Sequence, residues 1–385
     1  MILLAGPRIP HGPRVRDRLA RGQSVDSIPF LRDRIPPRPE PFHADPIDPA
    51  VAPFSAEFDA DHRLSWAEPD VAVCMAGVVF AASDALMIHC GTLIEDSTKS
   101  AGPWLPRSHI AKLWDDGHTR LKAPLPFPSH PEGAFMVGYT ASWGNYAHWI
   151  TECLPRILAF RAVRQRHPDV RLLLPELPAG SAQSVSLARL GIDPAAIRTV
   201  ADGEVLHAAR LWVLCAFEIW HPSPLCRDAA LAVSCAVPLS GDEADGILPA
   251  RVHIRRGTDT RRLLNFEALE PVLARFGFVA VTLQEQAFDD QVRLMRNARL
   301  VIGENSAGNA NIMFARRGLR LLELHNPWFV QPAHWALTAL LGGGYGYCVG
   351  SHVPHGQDLP HQNSDYTIDP AVFARAVAAL VGVAA

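Results

Sequence analysis

The sequence predicts an α/β protein built from two doubly wound, Rossmann-like domains, with a short-stranded N-terminal extension. Three observations carry this expectation. Residues 300–323 read as an apolar strand ending at Gly303, a small polar turn Glu304-Asn305-Ser306-Ala307-Gly308, a short helical pattern with Ile312, Met313 and Phe314 on one side, and a second apolar run holding a lone acid, Glu323. Strand, turn, helix and strand in that order form the repeating unit of a doubly wound domain. Apolar runs also alternate with helical patterns on both sides of a polar linker at 240–246, and 385 residues are enough for two cores.

Composition narrows the function classes. A formal charge of −3 gives no reason to expect a nucleic-acid partner. No run approaches the roughly 18 apolar residues of a membrane span, and the apolar start, residues 1–5, is too short for a signal-peptide core. Seven scattered cysteines without a CxxC pair indicate reduced core thiols, as expected of a cytoplasmic protein.

In chain order, residues 1–55 hold a third of the prolines, with Arg8, Arg14, Arg16, Arg18 and Arg21 in front. Pro36-Pro37-Arg38-Pro39 fits neither helix nor inner strand, so a poorly ordered lead-in is expected. The competing reading is a basic arm touching an anionic membrane surface, a peripheral contact at the inner face of the cytoplasmic membrane. The first domain spans 56–240. It opens with short strands at 71–74, 78–80, 86–90 and 135–137, then alternates runs at 170–174 and 211–215 with helical patterns at 181–190 and 228–237. Asp59-Ala60-Asp61 imitates a DxD metal motif but lacks a preceding apolar strand to aim it, so no metal site is assigned.

Residues 145–167 carry a helical stripe of Trp149, Ile150, Cys153, Leu154, Ile157, Leu158 and Phe160. His148, Glu152 and Arg156 follow one another at i,i+4 along one edge, and Pro155 should kink the helix beside them. Two readings compete: a Glu152–Arg156 surface pair with His148 as bystander, or a site.

The second domain, 247–350, runs strand 251–255, helix 265–276, strand 278–283, helix 288–298, then the 300–323 unit. Its parallel sheet should bind ligand beyond the strand C-terminal ends, where Arg255, Arg256, Gly303 and Glu323 fall. Arginine forks suit phosphate oxygens, helix N-termini favour anions, and an acid at a strand end can accept from a ribose hydroxyl. The turn is neither GxGxxG nor a Walker loop, which argues against a dinucleotide dehydrogenase and a P-loop ATPase. The remainder, 351–385, is a loop with His352, His355 and His361, read as polar lining without metal geometry, and a closing helix at 370–383.

An ordered set of motifs resembles glycosyltransferase family 61, the bacterial capsular polysaccharide biosynthesis type. The set is Tyr146-x-His148-Trp149-x2-Glu152-x-Leu154-Pro155-Arg156, Arg255 with Asn265 and Glu267, Glu285 with Gln291, and the turn at 303–311 followed by Glu323. The resemblance implies a GT-B-like fold, two domains facing a cleft. It implies inverting transfer from a nucleotide sugar, a UDP-sugar being the expected donor, to a glycan or lipid-linked glycan, without metal or other cofactor. By position, Arg255, Arg256, Asn265, Gly303, Asn305, Ser306, Ala307, Gly308, Asn311 and Glu323 would serve the donor. His148 and Glu152 would be catalytic, with Tyr146 and Arg156 lining the acceptor side. Two departures stand out: the family's His-Gly-Ala-Gly turn is Asn305-Ser306-Ala307-Gly308 here, and the Asn-Glu pair is split as Asn265-Phe266-Glu267. A non-catalytic glycan- or nucleotide-binding member and a nucleotide-sugar epimerase are the alternatives.

Overall fold

A computed structural model of the chain describes residues 18, 20–30, 38–48, 70–94, 126–215, 222–244, 246–257, 260–354 and 361–382, with short strands at 2–3, 8–12, 111–113 and 118–121. Asp59, Asp61 and His355 lie outside the described residues. The architecture is mixed α/β, as the alternating pattern predicts, and the chain divides into two compact units. One comprises residues 1–33 and 68–229, the other 34–67 and 230–385. The division falls inside a helix, Leu225–Ala236, and not at the 240–246 linker, which itself forms the short helix Gly241–Ala244.

In the first unit, β1 (Asp26–Phe30) pairs antiparallel with β2 (Asp70–Ala81), one twelve-residue strand where two short ones were expected. Then come β3 (Leu86–His89), β4 (Thr92–Ile94), β5 (Glu132–Val137), β6 (Arg171–Pro175), β7 (Ile197–Val200) and β8 (Val205–Leu214). The sheet order runs β7-β6-β5-β8-β2-β3-β4, parallel from β7 to β8 and antiparallel from β8 to β4, and it continues with Arg8–Gly12, parallel to β4, then His118–Leu121 and Ala111–Leu113. Helix α1 (Leu154–Arg166) leads from β5 to β6, and of the stripe expected along it and the turn before it, Trp149, Ile150, Cys153, Leu154, Ile157 and Phe160 are buried while Leu158 is half-buried.

The second unit holds β9 (Arg251–Ile254), β10 (Val279–Val281), β11 (Leu300–Glu304), β12 (Arg320–His325) and β13 (Gly344–Val349) in one parallel sheet, order β10-β9-β11-β12-β13. Ile302, Leu322 and Leu324 turn to the face covered by α2 (Phe266–Arg275) and α5 (Pro370–Val381), where Leu269, Leu273, Phe373, Val377 and Leu380 complete a core. Period-two alternation sends Gly303 and Glu323 to the opposite face, under the 3-10 helix Ala307–Phe314 and α4 (Ala333–Leu340). Helix α3 (Phe288–Asn297) packs on that 3-10 helix. Helix α4 is absent from the sequence reading, because an all-buried segment lacks the polar face that would mark its period.

The described part of the lead-in is ordered, contrary to expectation. Besides β1, residues 42–45 extend the second unit's sheet beyond β13, with Phe42 N–H donating to Tyr345 (2.8 Å) and Tyr347 N–H to His43 (2.9 Å). A Cβ on Gly346 would collide with the Phe42 ring, so this glycine makes the docking possible. Pro39 accepts from Trp335 Nε1 at 2.9 Å. Proline in such a stretch costs little at a sheet edge, where one row of donors has no ladder partner.

Candidate functional site

In the second unit the winding order reverses beside β9: the strand first in sequence lies between the second, β10, and the third, β11. A crevice beyond the C-terminal ends of two such strands is where open parallel sheets take ligands. Arg255 and Arg256 leave β9 there, and Glu304, Asn305 and Ser306 leave β11. Arg255 places its guanidinium carbon over the Phe266 ring, 4.0 Å from its centroid, with its side chain 42% exposed. Arg256 donates to the carbonyls of Thr260 (2.8 Å) and Asn305 (3.2 Å). Arg261 stacks on Phe329 at 4.2 Å and reaches Asn305 Oδ1 at 3.5 Å, with its Nε buried and unpartnered. Burial lowers the proton affinity of Arg256 and Arg261, yet guanidinium groups stay charged at neutral pH. Three cations thus surround the β11 turn. Ser306, Ala307 and Gly308 are half-buried at the start of the 3-10 helix, whose first-turn amides have no intrahelical acceptor.

Glu304 sits among these cations, 2% exposed. Its Oε2 accepts from the Arg256 amide at 3.0 Å. Oε1 has no hydrogen bond; Arg255 Nε lies 3.9 Å away and His253 Nε2 3.7 Å. Burial pushes the carboxyl up to about 7, against the pull of the Arg256 amide and the two arginine charges. His253, fully buried and stacked on Phe266, is pushed down to about 3 by burial and then by Arg255, so it is neutral. Sequence reading passed over Glu304 and Arg261. A lone acid ending an apolar strand is the signal that singled out Glu323, and LVIGE carries it equally.

Glu323 is not a rim acid. It is fully buried. Oε1 accepts from Asn305 Nδ2 (2.8 Å), Asn309 Nδ2 (3.3 Å) and His334 Nδ1 (2.6 Å), and Oε2 from the Tyr345 hydroxyl (2.9 Å). Burial would raise this carboxyl, but the His334 and His325 charges and the bonds from His334 and Tyr345 prevail and hold it at about 2. An inward-facing strand residue so buried presents no exposed oxygen to a ribose. Asn305, 5% exposed, correspondingly gives its amide to Glu323 and not to a ligand.

Three further expected donor residues have internal occupations. Asn265 clamps Ile368 with both ends of its amide, 2.7 and 3.0 Å. Asn311, fully buried, donates to Gln291 and the Gly308 carbonyl. A Cβ on Gly303 would strike the Asn309 amide, so the missing side chain admits the protein's own asparagine. Of the expected set, Arg255, Arg256, Ser306, Ala307 and Gly308 remain together at the C-terminal ends of β9 and β11.

The first unit brings its own group together. Asn145 caps the helix by accepting from Ala147 N–H (2.9 Å), and Trp149–Cys153 forms a π-helical turn before α1. That turn answers Pro155: lacking an N–H, it cannot bond the Thr151 carbonyl, which accepts from the Cys226 thiol at 2.8 Å. Glu152 is buried, so the surface-pair reading fails, and Arg156, also buried, donates to the Glu152 carbonyl at 2.6 Å. The Glu152 carboxylate accepts from the Thr140 hydroxyl at 3.0 Å and lies 3.0 Å from His148 Nδ1, too oblique for a hydrogen bond. His148 and Tyr146 are half-buried. A half-exposed imidazole backed by an oriented buried carboxylate is suited to moving a proton.

Among the described residues, His43, Asp45 and Cys348 place ligand atoms within 4.8 Å of one another, but His43 and Asp45 already pair at 3.0 Å and Val349 N–H takes the other Asp45 oxygen. His361 stacks on Trp328 (4.6 Å) with His352 edge-on to it, a ring cluster and not a ligand set. All seven cysteines are free thiols. No helix among the described residues is long and apolar enough to cross a membrane.

A family model described as Glycosyltransferase 61 matches residues 146–322. The matched span begins at Tyr146, beside the His148–Glu152 group, and ends one residue before Glu323. No curated protein matches the chain.

Proposed function

We propose that this chain, of which residues 146–322 belong to glycosyltransferase family 61, transfers a sugar from a nucleotide sugar, a UDP-sugar first, to a hydroxyl of a glycan or lipid-linked glycan in surface polysaccharide synthesis. Glycosyl transfer itself is the activity of the family. The observation that carries the donor assignment is the cationic crevice at the switch point between β9 and β11. There the Arg255 fork is held on Phe266 and still exposed, and Arg256 and Arg261 stand behind it.

On this reading the reaction is a single inverting displacement. His148, backed by Glu152, takes the acceptor hydroxyl proton as that oxygen attacks the anomeric carbon. The C–O bond to the diphosphate breaks with its electron pair leaving on the phosphate, stabilised by Arg255 and the amides at the helix start, in place of a metal. A carboxylate fixed by Thr140 supports this role for His148, since it would stabilise the imidazolium that forms.

The test is UDP and GDP binding by calorimetry for wild type and Arg255→Ala, with product analysis over a panel of nucleotide sugars with and without acceptor. A charge-assisted bond contributes about 1.5–3 kcal/mol, so the variant should bind at least tenfold more weakly with its fold intact. Unchanged affinity removes the crevice assignment. Conversion of free donor without acceptor would instead identify an epimerase.

A further inference from the structure

A buried carboxyl among donor-site arginines is unexpected, because its charge opposes the anion the arginines are there to bind. Glu304 ends the central strand β11 at the switch point, 2% exposed, with one oxygen on the Arg256 amide and the other unpartnered 3.9 Å from Arg255 Nε. From β9, His253 faces that unpartnered oxygen at 3.7 Å as a neutral ring, so it offers no charge. From the segment before α5, Tyr366 adds a hydroxyl held neutral by burial and then by Glu304, and α2 contributes the Phe266 ring that stacks on His253 and lies under Arg255. Arg255 and Arg256 are therefore the charges that face Glu304, with Arg261 one step further at Asn305.

Resting on the donor-site reading above, we propose that Glu304 is a switchable counter-ion: its carboxylate neutralises Arg255 and Arg256 while the crevice is empty, and arrival of a nucleoside diphosphate converts it to the neutral acid. The bookkeeping is one of charge alone: one proton passes from solvent to Glu304 Oε1, and no covalent bond in the ligand changes. The geometry allows this because Oε1 has no hydrogen bond to lose, while Oε2 keeps the Arg256 amide in either state. Burial already holds the group near the middle of its titration at neutral pH, so a diphosphate a few ångströms from Arg255 needs to add little. Arg255 is then released from its own protein's acid when the ligand's oxygens appear. When the diphosphate departs, the same proton leaves and the arginines are again compensated. Glu304 is thus a positioning residue: it acts on the ligand through Arg255.

Proton linkage makes this measurable. Calorimetric titration of the full chain with UDP at pH 8, where the terminal phosphate is ionised, is run in two buffers of different ionisation enthalpy, with GDP as second probe. Wild type should take up on the order of half a proton per UDP, and its affinity should weaken between pH 7 and 8.5 by up to about tenfold per pH unit. Glu304→Gln, which keeps size and an acceptor for the Arg256 amide, should bind UDP without uptake and with a flat profile. Uptake by wild type alone tests the idea even where the variant does not fold. UDP binding without uptake, or equal uptake in both proteins, overturns the counter-ion role and leaves the donor site standing. Absence of binding by wild type for UDP and GDP alike overturns the donor site itself.

Discussion

Replacing Glu323 with glutamine separates a carboxylate that holds the fold from one that holds a ligand. In wild type, four donors converge on this side chain in a space closed to solvent. Glutamine keeps one carbonyl for Asn305, Asn309 and His334 and can turn its amide to the Tyr345 hydroxyl, so the pattern survives without the charge. Three bonds that fall from charge-assisted to neutral lose about 1 kcal/mol each, about 3 kcal/mol together. Proton linkage has the same sign: the carboxyl is held at about 2, below its 4.5 unfolded, by the groups packed around it. That contribution is full above about pH 4.5 and is lost as pH falls through about 2, so wild type and variant should converge at low pH. The assay is urea unfolding at pH 7 followed by tryptophan fluorescence, Trp335 being stacked on Tyr345. The expected shift is about 1 M in midpoint at a slope of about 2–3 kcal/mol/M. Glu323→Ala leaves buried donors unpaired and should cost more still. A Glu323→Gln variant within about 1 kcal/mol of wild type whose UDP affinity falls tenfold would refute the argument and return Glu323 to the ligand.

Asn305→His should lower stability by about 1–3 kcal/mol, because a larger ring must enter a closed niche, and should not improve UDP affinity; tighter binding with unchanged stability would show that position 305 faces the donor. Glu152→Gln should lower turnover about 10²- to 10⁴-fold with nucleotide affinity unchanged, His148→Ala likewise, and full activity in either would remove the proton-transfer assignment. Transfer should survive EDTA; complete loss restored by manganese would contradict displacement by arginine and helix amides alone and would draw attention to Asp59 and Asp61.

Local pattern alone determined the α/β class, the parallel strands of the second unit and the buried stripe on α1, because these follow from side-chain periodicity and solvent exclusion. Motif order was sufficient to point to the family, since its spacing is a property of the chain and not of its packing. Tertiary structure decided which acid faces which side of the sheet. Glu304 and Glu323 both end apolar runs, but strand parity turns one toward Arg255 and the other toward His334 and Tyr345. A sequence does not state which face a helix will cover, so it could not distinguish a crevice acid from a core acid. The same holds for Asn265 and Asn311, whose amides look like ligand groups until Ile368 and Gln291 are brought beside them. It holds again for the proline-rich lead-in, where composition argued for disorder and Phe42 found cover against Gly346, a partner some three hundred residues away.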